Sequence, residues 1–382
     1  MAEKVHFGTM VVDRLGSWPH PYFLPETGAP SHLSKDATWE KMMLAQGALG
    51  ELKATTKLIK PSTLSYKVSL LQEALASSRI EGTQASLSEI VEAEMEDEVR
   101  NADVEEVLNY GEALDFAVQQ LKEFPISRRL VCATHKVLMT GRRGATKTPG
   151  EFRKTPVWIG SYDSTPENAR FVPPLAHHLN DLFADWEVFA NTHGTIPLVK
   201  HLAWAHYQFE TIHPFLDGNG RIGRILIELM LVDKGTLPGP YLGISRYVER
   251  FRNEYYEVLD RVRTKGDVDG LLRYFAAAIE TQANSTVQML EQLLELSNDW
   301  KDRHYSASKS MTALIDLLVE QPIISVAFVT ERLAISQPTA SRLIRQAESL
   351  GLLRSRGQVG RGRKETWVSE TIWNIISPYE AP

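Results

Sequence analysis

Cysteine is all but missing. A single one, Cys132, stands among 382 residues, which excludes an internal disulfide framework and a cysteine-built zinc site and agrees with a reducing compartment. Cys132 lies in an apolar run and reads as core. No run of 18 apolar residues occurs, so no membrane-spanning helix is expected. The start, MAEKVHFGTM, has neither the basic opening nor the apolar centre of a signal peptide. A cytoplasmic protein without membrane contact is therefore expected. There is no internal repeat and no low-complexity tract. The acidic stretch EIVEAEMEDEVRNADVEEV from Glu89 lacks the glycine and spacing of a calcium loop and reads as a solvated helix face or loop. What remains is an ordinary globular composition, 43% apolar, sufficient for one large domain and a smaller one.

The net charge of -6 hides an asymmetry. Between Ser336 and Lys364 stand Arg342, Arg345, Arg354, Arg356, Arg361, Arg363 and Lys364 against Glu348 alone. That segment carries a net +6, leaving -12 for the rest, and an anionic partner for the C-terminal part follows.

Gly16, Pro19, Pro21, Pro25, Gly28 and Pro30 make the first 40 or so residues read as an irregular arm over the body, with residues 1–63 forming this arm and a helix packed on the core. Leu64, Val68, Leu71 and Leu75 then recur at helical spacing, and Gly82 stands where a C-cap belongs, so a helix over 64–82 ends at Glu81. Leu198, Leu202, Ala205, Phe209 and Ile212 predict another helix, resumed by Ile225 and Leu229. Between these helices, Val157 to Ile159 and Arg170 to Val172 flank a Ser/Asp/Pro/Asn-rich middle, which predicts a hairpin over 155–174. Polar residues 301–309 predict a linker.

The stretch HPFLDGNGRIGR, His213 to Arg224, lies in the loop between two helices. Gly218-Asn219-Gly220-Arg221-Ile222-Gly223 spells G-x-G-x-x-G, but the dinucleotide fingerprint must follow a buried strand, and here a helix precedes it. The Gly-Lys-Ser/Thr of a Walker loop is absent. Glycines that let backbone N–H groups reach an anion, opening onto a helix N-terminus, still predict a polyphosphate cradle. Arg221 and Arg224 supply guanidiniums for phosphate oxygens. Asp217 beside such a cradle is a candidate magnesium ligand, and His213 a candidate general base.

HPFLDGNGRIGR resembles the full motif H-x-F-x-D/E-G-N-G-R-x-x-R of the Fic (filamentation induced by cAMP) proteins, with a match at every defined position. The resemblance implies a mainly α fold in which residues 64–300 form a Fic-type helical domain with a β-hairpin flap, 155–174. It also implies transfer of AMP from ATP to a Tyr, Thr or Ser hydroxyl of a target protein and of the chain itself. His213 would be the base, Asp217 the Mg2+ ligand, Gly218, Asn219 and Gly220 the anion hole, and Arg224 the contact to the terminal phosphate. Ile159, Gly160 and the following residues to Tyr162, with Tyr255 and Tyr256, resemble positions lining the nucleotide pocket. Ser77-Ser78-Arg79-Ile80-Glu81-Gly82 resembles the family's inhibitory motif S/T-x-x-x-E-G/N. On that likeness, Ser77 and Glu81 end an inhibitory helix over 64–82 that blocks Arg224. Two rivals stand beside this reading: a transcription regulator whose Fic domain only senses ATP, and transfer of another phosphate-containing group such as UMP, phosphocholine or phosphate.

Residues 310–382 read as a winged helix-turn-helix domain. Leu314, Leu317 and Leu318 mark one helix, Val326 to Leu333 a second, and Ser336 with Pro338 opens a third that exposes Arg342 and Arg345. Leu352 to Arg354 and Glu365 to Val368 flank a basic wing with Arg361 and Arg363. Such a helix enters a DNA major groove while the wing meets the backbone. Protein binding and dimerisation are the alternatives, and a homodimer would bring a second half-site.

Overall fold

The computed structural model describes residues 2–12, 18–28, 30, 34–58, 65–94, 101–141, 143–160, 163–303, 309–359 and 364–377. Within these, the chain is mainly helical with two small antiparallel sheets. Three strands, β1 (Ala2–Val5), β2 (Gly8–Val11) and β3 (Tyr22–Pro25), pair in the order β1-β2-β3. The N-terminal arm is thus a sheet where irregular chain was expected; its strands are four residues long, too short for the Gly/Pro signal around them to reveal. Gly8 is required there, since a Cβ would meet the Leu24 carbonyl at 2.6 Å. The Phe23 N–H donates to the Val172 carbonyl at 3.0 Å, so β3 carries the base of the 155–174 segment.

The helices follow as α1 (Asp36–Leu58), α2 (Ser65–Ile80), α3 (Leu87–Ala93), α4 (Ala102–Gln120), α5 (Arg128–Leu138), α6 (Leu179–Ala190), α7 (Leu198–Ile212), α8 (Asn219–Asp233), α9 (Ser245–Arg250), α10 (Arg252–Lys265) and α11 (Val268–Arg303). α7 and α8 are buried nearly all round and along most of their length, at the centre of the core. The others surround them, with α1 packed along α11 and α2 against α4, α8 and α9. At 36 residues, α11 spans roughly 54 Å. It runs through the buried Trp300 to Arg303, so residues 301–303 of the expected linker are helical, as is Lys309, and 304–308 lie outside the described residues.

The expected hairpin is reduced to a single bridge, Ile159 with Phe171, at 2.8 and 3.0 Å. Pro173 occupies the next bonding position outward and has no N–H to extend the ladder. Ser161 and Tyr162 lie outside the described residues.

After residue 308 come α12 (Lys309–Glu320), β4 (Ile323–Ser325), α13 (Val326–Leu333), α14 (Gln337–Ser349), β5 (Arg354–Val359), β6 (Lys364–Val368) and α15 (Glu370–Ile376). The strands pair antiparallel in the order β4-β6-β5. The second and third helices and β6 fall where the sequence put them, whereas the expected strand Leu352 to Arg354 shares only Arg354 with β5, which runs on into the stretch read as the wing; β4 and α15 were not expected. α14 exposes Arg342 and Arg345, whereas Arg361 and Arg363 lie outside the described residues.

This C-terminal unit docks on α2 and α3. Gln321, buried, donates from Nε2 to the Val91 carbonyl at 3.1 Å and accepts from Lys67 Nζ at 3.2 Å, while Gln72 Nε2 donates to the Ile376 carbonyl at 2.5 Å. Arg356 pairs with Glu92. Gln321→Leu strands the Val91 carbonyl without a donor and is expected to lower stability by about 1–3 kcal/mol, measured as a drop in the urea midpoint at unchanged m-value.

Candidate active site

His213 ends α7 in the left-handed region, φ 49° and ψ 61°. That turn takes the chain off the helix into the Pro214–Gly218 loop. The imidazole Nδ1–H donates to the Glu210 carbonyl at 3.3 Å, which leaves Nε2 without a partner among the described residues. Burial, and then the nearby Arg153 guanidinium, pull its pKa down to about 4. The ring is therefore neutral at pH 7, with its Nε2 lone pair free to take a proton.

Gly218 caps α8 at φ 77°, a left-handed conformation that L side chains rarely adopt, and a Cβ there would stand a tight 3.1 Å from Met139 Sδ. The N–H groups of the first turn of α8 have no partner within the helix, and the helix dipole adds partial positive charge there. Asn219 spends its side chain on the loop itself: Oδ1 accepts from the Phe215 N–H at 2.8 Å and Nδ2 donates to the Phe215 carbonyl at 2.9 Å. Its contribution to an anion is thus confined to the backbone. Asp217 has a side chain 43% exposed, and its Oδ1 accepts from Gly218 N–H at 2.6 Å and from Arg221 at 3.4 Å. Among the described residues no group of three potential metal ligands occurs. One open carboxylate beside an anion site nevertheless fits Mg2+, which takes one or two carboxylates together with substrate phosphates.

The two arginines of the motif differ. Arg221 is buried and paired with Glu106 of α4, so it lends charge to the loop from behind. Arg224, 1% exposed, donates from Nε to Ser77 Oγ at 2.8 Å, and from Nη2 to the Ser77 carbonyl at 2.9 Å and Glu81 Oε1 at 2.8 Å. Burial pushes the Glu81 carboxyl up, but Arg224, with Arg221 and Arg252, holds it below the usual carboxylate range. Glu81 also covers the glycine: a Cβ on Gly220 would lie 2.7 Å from Glu81 Oε1.

The remaining expected residues divide. Ile159 and Gly160 sit at the bridge of the flap, and Arg170 donates to the Tyr256 carbonyl at 2.9 Å, joining the flap to α10. Tyr256 is half-buried, whereas Tyr255 is 2% exposed and donates to His206 Nε2 at 2.7 Å. His206 in turn donates from Nδ1 to the Gly223 carbonyl at 3.1 Å, so Tyr255 supports α8 from inside the core.

Two groups that the sequence did not single out hold the loop, and a third, Glu210, lies near it. His135 of α5 stacks on Phe215 at 3.8 Å, accepts from the Gly150 N–H at 2.8 Å and donates to the Asp217 carbonyl at 3.0 Å. Arg153, 2% exposed, donates to four carbonyls, those of His213, Thr155, Pro174 and Ile212, at 2.6 to 3.4 Å. It fastens the end of α7 and the loop after it to the base of the 155–174 segment. Glu210, close to Arg224 and Glu81, has a buried Oε1 without a hydrogen-bond partner, 4.0 Å from His206 Nε2, and its pKa is raised to about 7, by burial first. A histidine inside an apolar helix and an arginine after Gly150 carry no pattern of their own, so only packing could reveal them.

Residues 39–119 match the family model described as Fic/DOC family N-terminal, and residues 125–231 the model described as Fic/DOC family. Through these residues the chain belongs to the Fic/DOC family. A protein adenylyltransferase Fic from Aedes aegypti is 27% identical over 252 residues, 63% of this chain and 46% of that protein. One of the same name from Culex quinquefasciatus is 32% identical over 133 residues, 34% of this chain and 23% of that protein. The chain thus spans less than half the length of these curated relatives. A Fic family protein from Desulfovibrio desulfuricans G20 shares the fold, with 21% identity, TM-score 0.57, and coverage of 89% of this chain and 98% of that one. Fic-1 from C. elegans does so over 67% of this chain and 73% of its own, at 20% identity and TM-score 0.51.

A carboxyl whose pKa rises on folding favours the folded state below its unfolded value, near 4.5, and loses that advantage as pH rises toward about 7. Wild-type stability, relative to Glu210→Gln, is therefore expected to fall between about pH 5 and pH 7.5, by an amount on the order of a few kcal/mol, and thermal melts of both across that range measure it.

Proposed function

We propose that the chain is a protein adenylyltransferase that moves AMP from ATP to a hydroxyl side chain of a target protein and of itself, and that Glu81 holds it back. The observation that carries this reading is the neutral His213, with an unpartnered Nε2, beside the glycine-opened N-terminus of α8. Nucleotide sensing alone needs no base. The names of the two mosquito relatives agree with the same chemistry.

In the reaction, His213 Nε2 takes the proton of the target hydroxyl as its oxygen bonds to the α-phosphorus, and the bond to the pyrophosphate oxygen breaks. Backbone N–H groups of Gly218, Asn219 and Gly220 receive the oxygens on which charge grows. Arg221, fixed by Glu106, adds positive charge without touching Glu81's partner. Ile159, Gly160 and Tyr256 flank the space on the flap side. Asp217 would hold Mg2+, which supplies charge neutralisation between phosphate oxygens. Arg224 would take the terminal phosphate, which requires that Glu81 give it up. While Glu81 covers Gly220, the phosphates are kept from the geometry of attack, and misalignment alone suppresses transfer by orders of magnitude.

With labelled ATP, Glu81→Gly is expected to raise transfer, including self-modification, above wild type. His213→Ala should lower it about a hundred- to ten-thousand-fold with ATP binding retained, and Arg224→Ala should lower it without rescue by Glu81→Gly. Because His213 is a free base above its pKa of about 4, the rate should lack an acid limb near pH 6.5. Equal rates for wild type and Glu81→Gly at saturating ATP and magnesium would remove Glu81 from regulation, and modification by UTP or CDP-choline in preference to ATP would change the transferred group.

We further propose that residues 310–382 form a winged helix-turn-helix that binds duplex DNA, with Arg342 and Arg345 exposed on α14 and Arg361 and Arg363 in the wing. The full chain is expected to bind duplex with an affinity that falls steeply with salt, and replacing Arg361 and Arg363 by Ala should reduce the slope of log K against log salt by up to about 2; absence of binding at low salt would favour a protein partner.

A further inference from the structure

Helix α2 has two faces in use. Ser77 and Glu81 meet Arg224 on one. Gln72, Leu75, Ala76 and Arg79, at steps of three and four residues, form the opposite one, and that face walls a cavity of about 690 Å³. The size lies within the range of small-molecule sites, about 300–1,000 Å³. Its other walls come from α9, α11 and the end of α15, and the Gln72 bond to the Ile376 carbonyl closes one side.

Arg246 of α9 stands in this wall under-satisfied. A guanidinium has five N–H donors, yet among the described residues Arg246 makes one hydrogen bond, Nη2 to Thr286 Oγ1 at 3.5 Å, and its Nε is buried with no partner. Buried donors are normally satisfied. The carboxylate of Glu73 lies near but accepts from Tyr110 and Ser245 instead. Glu249 also lines the cavity and opposes the charge of Arg79 and Arg246 there. The side chains of Gln288, Gln292 and Asn374 add amides able both to donate and to accept, over an apolar floor of Leu75 and Met289.

We propose that this cavity binds a small organic oxyanion, a carboxylate or phosphate ester on a body with hydrogen-bonding groups, anchored by Arg246, and that the occupied cavity braces α2 in the position that keeps Glu81 on Arg224. The second half rests on the inhibitory reading of Glu81. The sign follows from the shape: the cavity exists with α2 seated, so a ligand fitted to it favours that state over any in which α2 withdraws. α15 forms part of the wall, so the same ligand ties the C-terminal unit to the helix that ends in Glu81.

Calorimetric titration of the full chain with ribose 5-phosphate and, separately, citrate tests the site and distinguishes the phosphate from the carboxylate source. Two variants report on location: Arg246→Gln removes the anchor, and Ser285→Trp, at an exposed rim position on α11, obstructs the mouth without touching the core. Thermal melts establish that each is folded. One probe is expected to bind 1:1, about tenfold or more weaker in both variants, and at saturation to lower AMP transfer by wild type several-fold while leaving Glu81→Gly unchanged. No heat with either probe up to about 10 mM, or binding unaltered in both variants, overturns the site. Inhibition of wild type and Glu81→Gly alike overturns the bracing of α2. If instead the inhibitory reading of Glu81 itself is wrong, the two proteins transfer equally without any probe, a result independent of the titration.

Discussion

A guanidinium sealed inside a protein has to be given an anion. Arg224 is 1% exposed, and a cation taken so far out of water is tolerated only with a carboxylate or equivalent set of acceptors around it. Ser77 supplies two acceptors and Glu81 the charge. Much else in the interior follows from seating the helix that brings them. Glu73, one turn earlier on α2, is fixed by Tyr110 of α4 and Ser245 of α9, and Glu228 of α8 accepts from the Gly243 N–H in the same turn at 2.9 Å. Two carboxylates thus converge on one turn of backbone; burial first, and then Glu73, push the Glu228 pKa up. The negative charge that Arg224 demands is met by Glu81, 2.8 Å away.

The twelve-residue motif, a short loop running into the first turns of α8, divides its labour between holding itself and facing outward. Phe215 and Asn219 lock the turn internally, His135 and Arg153 fasten it to α5 and to the base of the 155–174 segment, and the glycines put no side chain over the backbone. Rigidity at the base of the loop is what allows the backbone donors to be aimed in advance, which is where electrostatic stabilisation of a transferring phosphoryl group derives its strength.

The helices that flank the motif, α7 and α8, were legible because a heptad-like apolar recurrence and a glycine break have one local explanation. The Glu81 contact was legible through resemblance, and its partner distance of 2.8 Å agrees with the expected pairing. The scaffold was not. His135, Arg153, His206 and Glu210 acquire their roles from neighbours distant in sequence, such as the Asp217 carbonyl for His135 and the Pro174 carbonyl for Arg153. Tyr255 was expected at the nucleotide and lies in the core with its hydroxyl on His206. The flap shows the converse: two β-prone runs predicted strands, but prolines withhold the donors a ladder needs. β1 to β3 and β4 were missed because strands of three and four residues pair through partners, not through pattern.

The manner in which α2 ends sets a clock. Glu81 and Gly82 donate to Ser78 and Arg79, three residues back, at 3.0 Å each, and Gly82 then turns the chain at φ +103°. These are the loose bonds of a final helical turn, not of a helix interior. Detaching Glu81 needs only that turn to fray, a motion of nanoseconds to microseconds, whereas enzyme turnover is typically about 10 per second. On the inhibitory reading proposed for Glu81, opening and closing would be averaged at least about 10⁵ times within one turnover, and the restraint would act as a continuous dial, set by the fraction of time the carboxylate is away.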